Sequence, residues 1–356
     1  MKENTMIRAI SAALLAGTAL VGHAHAASIT SASVFATAPG TATRPDSISV
    51  NNGSVFVSYA GGTNSSTGAG ISTIVQYSLG GATQATYSLP GSVDGLKANP
   101  VSGLVFALQN QDGNSTLSLI NPATSTVSAP LSYASPPYVY GAASGRGYDD
   151  VAFRNGQVYL SYTNPASASD AVVQLLNQGN TPSGTLTTTT VVTAGQTGST
   201  LPDTDSLKTK PNGDLILTDG SGGAFATITN PGPSQTVTTT QITYNGAKAS
   251  SIDDVLFPSA TSGTLLVADR NNNRVLALQV TGLSLTSAFA SLDASNVLAI
   301  VDPLGTATSF YSGQLGALAS PHGLDFIPAA AVLEPASLAL LGTGLVGLLG
   351  LRRRNA

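Results

Sequence analysis

Six times along this chain a polar residue, a small or acidic residue and a branched aliphatic follow one another. The copies are Asp46-Ser47-Ile48, Asp94-Gly95-Leu96, Asp149-Asp150-Val151, Asp205-Ser206-Leu207, Asp253-Asp254-Val255 and His322-Gly323-Leu324. Their starts lie 48, 55, 56, 48 and 69 residues apart. After each of the first five, a glycine and an apolar run follow seven to ten residues later: GSVFVS from Gly53, GLVFAL from Gly103, GQVYLS from Gly156, GDLILT from Gly213 and GTLLVA from Gly263. Each unit therefore reads as a short strand, a glycine-bearing turn and a second strand. Further strands are expected over residues 73–79, 116–121, 171–176 and 273–280, and helical periodicity is absent between the two ends of the chain.

Four strands in about 50 residues, repeated, is the arithmetic of a β-propeller blade. A β-helix, the rival architecture, would repeat about every 20–30 residues. The expectation is an all-β propeller over residues 27–328, with six blades favoured and five or seven open. The first strand of each unit would line the axis, where crowding favours small side chains. Residues 29–37 could add an outer strand that closes the ring with the last blade. The sixth start lacks a glycine-apolar strand of its own, and residues 296–302 and 306–312 look like strands without a start. The threonine runs at 185–190 and 236–240 read as edge strands with a solvent face.

The units resemble blades of NHL-repeat and gluconolactonase-like propellers, most clearly at Pro321-His322-Gly323-Leu324-Asp325-Phe326 and at residues 267–275, VADRNNNRV. The resemblance is one of repeat pattern over residues 45–327. It implies a fold more than an activity.

Composition narrows the function classes. Charged residues make up 9% of the 356-residue chain and there is no cysteine, which excludes disulfides, thiolate metal sites and cysteine catalysis. The formal charge is −4. Losing Lys2, Glu3 and Arg8 at one end and Arg352, Arg353 and Arg354 at the other removes five positive charges and one negative, leaving −8. Such a domain lacks the cationic footprint that nucleic acid requires.

The ends carry processing signals. Lys2 and Arg8 precede an apolar run over residues 10–21, and Ala24-His25-Ala26 supplies the small-x-small pattern read by signal peptidase. Residues 1–26 are therefore expected to be a cleaved signal peptide, because the run falls short of the roughly 20 residues a membrane span needs. Residues 329–356 form a second unit. Leu333-Glu334-Pro335-Ala336-Ser337 leads into an apolar stretch notched by Gly342, Gly344, Gly347 and Gly350, then into Arg352-Arg353-Arg354, a cytoplasmic stop under the positive-inside rule. This tail resembles the PEP-CTERM sorting domains of Gram-negative bacteria at Glu334, Pro335, Ala336 and Ser337, with Leu333 in place of the usual first proline. The resemblance implies a short transmembrane helix, recognition by an exosortase-type sorting peptidase, transient residence in the inner membrane and delivery to the cell surface. It also implies a link to extracellular polysaccharide and biofilm material. An ordinary C-terminal membrane anchor is the alternative.

In a closed ring, Asp46, Asp94, Asp149, Asp205, Asp253 and His322 would face one end of the channel. Two readings stand side by side. Converging oxygen ligands suit a hard cation such as Ca2+, and gluconolactonase-like propellers place a metal and a lactone-hydrolysing site there. Alternatively, the aspartates cap the start of each inner strand by accepting backbone N–H groups. Catalysis has thin support: His23 and His25 leave with the leader, so His322 is the one histidine of the mature domain, and no Gly-x-Ser-x-Gly elbow is present. The pairs Asp149-Asp150 and Asp253-Asp254 should point to opposite faces of their strands. The function expected is that of an exported, non-enzymatic binding or adhesion propeller. A Ca2+-dependent lactonase or esterase-like hydrolase is the alternative.

Overall fold

The computed structural model describes residues 26–134, 147–163, 170–175, 180–197, 203–232 and 234–329. Residues 1–25 of the expected signal peptide, the expected sorting motif at Glu334–Ser337, the apolar stretch after it and Arg352–Arg354 lie outside the described residues. Within the described residues no helix is long and apolar enough to cross a membrane.

The described strands form six sheets, each built outward from an innermost strand that begins at one of the repeat motifs. Blade one comprises Pro45–Asn51, Ser54–Tyr59, Ile71–Ser78 and Thr83–Pro90. Blade two runs Val93–Ala98, Val105–Gln109 and Thr116–Asn121, with two short strands at its outer edge. Blade three is Tyr148–Arg154, Gln157–Tyr162, Asp170–Leu175 and Thr188–Thr193, and blade four is Thr204–Thr209, Leu215–Asp219, Ala224–Thr229 and Thr236–Gln241. Both threonine-rich strands are outermost, as their sequence suggests.

Local chemistry explains the tight connections. In blade one Asn51 pairs with Ser54 across Asn52-Gly53, and in blade three Arg154 pairs with Gln157 across Asn155-Gly156. All four turn residues have positive φ, the requirement of the two-residue turn that matches strand twist.

Blades five and six depart from the sequence expectation. Gly263–Asp269 was expected to follow Ile252–Leu256 in one sheet. Instead it pairs with Pro321–Pro328, which begins 58 residues after it does, with Leu265 opposite Phe326 and Val267 opposite Leu324. Blade six is thus Pro321–Pro328, Gly263–Asp269, Arg274–Thr281 and Ser28–Thr37. Blade five takes Ile252–Leu256, Ala288–Leu292, Val297–Val301 and Thr306–Ser309. The connection at 257–262 contains no Asn-Gly pair and no residue at positive φ to fold it back. The exchange accounts for the 69-residue interval and supplies the sixth start with the second strand it lacked. Ser28–Thr37 closes the ring by pairing antiparallel with Arg274–Thr281.

The core confirms the blade count. Buried apolar side chains form six clusters, one at each blade interface. Phe56, Ile74 and Leu89 of blade one meet Leu96, Val105 and Ile120 of blade two. Ile48, Val55 and Val57 of blade one meet Leu266, Ala268 and Val275 of blade six, so the last interface closes on the first. Both faces of each middle strand are therefore buried, which is why the second strands read as continuous apolar runs. The architecture is an all-β, six-bladed propeller.

Candidate functional site at the channel mouth

Each motif start occupies the second residue of an innermost strand, and Asp46, Asp94, Asp149, Asp205, Asp253 and His322 all line one cup of about 440 Å3. Ala60 contributes the one apolar side chain among its described lining residues.

A backbone irregularity sets the side-chain directions. In all six blades the ladder between the first two strands is interrupted at the motif, for example between Tyr148 and Val151 and between Thr204 and Leu207. A bulge suspends the strict alternation of a strand. Asp149 and Asp150 therefore both line the cup, as do Asp253 and Asp254. The expectation that these pairs face opposite ways is corrected by the bulge. The bulge also frees a backbone N–H, and a hydroxyl on the second strand takes it. Ser47 N donates to Ser58 Oγ (3.0 Å), Asp150 N to Ser161 Oγ (2.8 Å), Ser206 N to Thr218 Oγ1 (2.8 Å) and Asp254 N to Ser291 Oγ (2.8 Å). The first three acceptors end the apolar hexamers read from the sequence. That recurrent polar terminus was the available signal, and it was missed.

The capping role belongs chiefly to other carboxylates, seated deeper. Asp150 Oδ2 accepts from Leu207 N (2.9 Å), joining blade three to four, and Asp254 Oδ2 accepts from Leu324 N (2.7 Å), joining five to six. Asp325 Oδ2 accepts from Val50 N (2.8 Å), joining six to one, and pairs with Lys97 at 3.2 Å. Between Asp150 and Asp254, 3.0 Å from each, lies Lys208 Nζ, which forms part of the floor of the cup. Burial opposes the Lys208 charge, but the two carboxylates outweigh it and hold the ammonium above its ordinary pKa.

The ring of motif residues divides into two unlike arcs. On the side of blades five, six and one, His322 Nδ1 lies 2.7 Å from Asp253 Oδ1 and 3.0 Å from Asp46 Oδ1, and Nε2 lies 3.3 Å from Asp293 Oδ2. Arg270 Nη1 is 3.2 and 2.9 Å from the two ring nitrogens. In the ring plane an atom that near both would collide with Cε1, so the guanidinium lies over the imidazole face. Burial works against a charged His322, yet Asp253, Asp293 and Asp46 push its pKa well above the usual value. Burial likewise pushes Asp46 up, but Arg270 and His322 prevail and hold it well below the carboxylate range. This arc carries its own cations.

The opposite arc, in blades two to four, contains Asp94, Asp149 and Asp205. Burial pushes all three well above the carboxylate range. Repulsion adds to it: Asp46 acts on Asp94 against the attraction of Arg270, Asp150 and Asp253 act on Asp149 against a hydrogen bond from Thr163, and Asp149 and Asp253 act on Asp205. Asp203, also in the cup, is raised by burial and by Asp112.

Five buried side-chain atoms of the described residues have no hydrogen-bond partner, and four of them belong to residues of this cup: Asp46 Oδ2, Asp94 Oδ2, Gln111 Oε1 and Arg270 Nε. Leaving a buried polar atom unpaired costs about 1–3 kcal/mol. Asp46 and Asp94 offset part of that cost by sharing a hydrogen bond between their carboxyls. Arg270, Lys208, Asp293, Asp203 and Gln111 were not singled out from the sequence. Arg270 stood within the VADRNNNRV stretch, yet nothing local revealed that it reaches the axis.

The chain matches no protein-family model and no curated protein. Among solved structures it is similar to the periplasmic gluconolactonase of Pseudomonas aeruginosa, at 10% identity over 80% of this chain and 89% of that one, with a TM-score of 0.50. It is also similar to virginiamycin B lyase from Staphylococcus aureus (12% identity, 85% and 94% covered, TM-score 0.47) and to a protein of unknown function from Bacteroides caccae (12%, 78% and 86%, TM-score 0.47). At these identities the likeness is one of fold.

Proposed function

We propose that this protein is an exported, non-enzymatic binding propeller that seats a polar, positively charged ligand in the cup at its channel mouth. The observation that carries the reading is the cup's uncompensated arc. Asp94, Asp149 and Asp205 are gathered in one cavity with no ion pair among the described residues, while Asp46 and Asp253 pair with His322, Asp293 with the same ring and Asp46 with Arg270. Export rests on the leader and tail motifs. The sorting-domain resemblance supports processing at Glu334-Pro335-Ala336-Ser337 by an exosortase-type peptidase and display at the cell surface among extracellular polysaccharide.

The hydrolase alternative has less support. A general base needs a lone pair near the proton it removes. Both nitrogens of His322 are engaged by carboxylates that favour the protonated ring. Ca2+ requires several oxygen ligands at about 2.3–2.6 Å from one centre. Among the described residues, the one group of three with ligand atoms inside such a span is Asp253, Asp293 and His322. Its imidazole is a poor partner for Ca2+, and Arg270 already stacks on that ring. The ring aspartates therefore fit a directly ligated Ca2+ poorly.

Thermal-shift titration of the purified protein at low ionic strength tests the proposal, with ammonium, guanidinium, Ca2+ and amine-bearing sugars as probes. Cationic probes should raise the midpoint of the wild type and leave that of a D94N/D149N/D205N variant unmoved. Equal shifts in both proteins would overturn the assignment to the cup. Lactone turnover that disappears in H322Q would overturn the non-enzymatic reading.

A further inference from the structure

The face opposite the cup carries a different chemistry. Each innermost strand runs from the cup to that face, so the residues that follow one lie there: Val101 in blade two, Lys210 in blade four, Phe257 in blade five and Ala329 in blade six. Ala329 N donates to Ser262 O (3.0 Å) and Leu283 N to Thr261 O (3.0 Å), which ties the exit of the chain from blade six to the connection at 282–287. That connection and the turn at 302–305 meet Lys210 and Phe257 around a cavity of about 110 Å3 whose lining includes Ile216, Phe225 and Val301. Beside it Leu285 is 47% and Leu304 86% exposed, and across the ring Val101 is 69% exposed. Lys210 Nζ stands 4.9 Å from the centre of the Phe257 ring. The carboxylate at this spot is engaged by its own turn, Asp302 Oδ1 accepting from Leu304 N (2.9 Å) and Thr306 N (2.8 Å).

Exposed aliphatics scattered singly need no partner. Leu285 and Leu304 instead gather where the chain leaves the propeller, and nine residues after Ala329 the sequence enters the apolar stretch that starts at Leu338. Nine residues reach at most about 32 Å. A bilayer that takes up that stretch therefore holds this face close to its surface. Aliphatic tips around an ammonium match such a surface, the leucines entering the acyl boundary and the cation meeting lipid phosphate. The same anionic lipid repels the cup, which is lined by nine aspartates on the other face.

We propose that the propeller rests on an anionic phospholipid bilayer through this face, with Leu285, Leu304 and Val101 in the acyl boundary, Lys210 on a lipid phosphate and the cup turned away from the membrane. The inference rests on the export and tail reading proposed above and adds the orientation that reading leaves open.

The chain has no cysteine, so L304C, V101C and I71C can each carry one environment-sensitive fluorophore on the full-length protein. Ile71 is 62% exposed and begins the third strand of blade one, on the cup face. The probe is vesicles of phosphatidylethanolamine and phosphatidylglycerol with a nitroxide on the headgroup. The labels of L304C and V101C should shift to the blue and be quenched, and that of I71C should do neither. L285S in the L304C background should lower the docked-to-free ratio about tenfold, the worth of one inserted leucine. K210Q should lower it about fivefold on these vesicles and leave it unchanged on phosphatidylcholine alone. Equal quenching of the I71C and L304C labels would overturn the orientation. Vesicle-bound protein whose labels all stay unquenched would overturn docking and leave the tail anchor standing. Protein that fails to sediment with the vesicles would overturn the tail reading as well. A blue shift of the L304C label before vesicles are added would assign the face to a second copy of the chain and overturn the lipid assignment.

Discussion

Replacing Lys208 by methionine isolates the electrostatics of the channel floor. The ammonium lies 3.0 Å from both Asp150 and Asp254, and the three side chains are 12%, 9% and 6% exposed. Methionine preserves most of the stem's packing and removes the charge, leaving two buried carboxylates facing one another. Breaking a buried pair from one side costs about 3–5 kcal/mol. At the shallow slope of a large domain, about 2 °C per kcal/mol, the melting midpoint should fall by about 6–10 °C at pH 7. The pH dependence supplies a second check. Burial already raises Asp254 in spite of Lys208; without the ammonium its folded-state pKa moves further above the unfolded value of about 3.9. A group raised in this way contributes its full stability below the unfolded pKa and loses it as pH rises through the folded pKa. The deficit of K208M should therefore be largest at neutral pH and shrink towards pH 4, as read by urea denaturation of both proteins across that window. A loss under about 1 kcal/mol at pH 7 would refute the argument, given the magnitude expected of a broken buried pair. So would a deficit that acidification leaves unchanged.

Two further outcomes follow from the ring itself. Asp94, Asp149 and Asp205 all have folded pKa values raised above the carboxylate range, so the ligand-free wild type should gain stability from pH 8 to pH 5, and D94N/D149N/D205N should be flatter and more stable at pH 7; parallel thermal-melt profiles for the two proteins would count against repulsion in the arc. At the crowded axis, a Cβ on Gly323 would lie 2.3 Å from Asp46 O and one on Gly95 2.1 Å from Asp149 O. G323A and G95A should each lose about 1–3 kcal/mol through forced strand separation, and an unchanged midpoint in calorimetry would show that the inner strands are not held at that distance.

Much of the propeller was readable along the chain because its signals are local. The Asp-small-aliphatic start, the apolar hexamer and the glycine-bearing turn each act within a few residues, so their recurrence revealed the blades and their inner strands. The small middle position of the motif was legible for the same reason: Gly95 and Gly323 stand where a neighbouring inner strand presses on the backbone. Where blades five and six exchange strands, local reading failed. Gly263–Asp269 carries the same pattern as its counterparts, and its partner is chosen by interfaces with Leu324 and Phe326, far along the sequence.

The sequence alone thus determined that six acidic or imidazole side chains begin six equivalent strands. Only the tertiary structure decided what those side chains are. A bulge turned adjacent aspartates into the same cup, and Asp150 and Asp254 took over the inter-blade capping. His322, which pattern alone presented as one more copy of the motif, is biased towards its cationic form because Asp46, Asp253 and Asp293 arrive around it from blades one and five. Asp94, Asp149 and Asp205, identical in pattern to Asp46, make no ion pair among the described residues, and burial with mutual repulsion outweighs what Arg270 offers Asp94. Charge state depends on distances of a few ångströms between residues that lie tens to hundreds of positions apart, and no spacing along a chain encodes them.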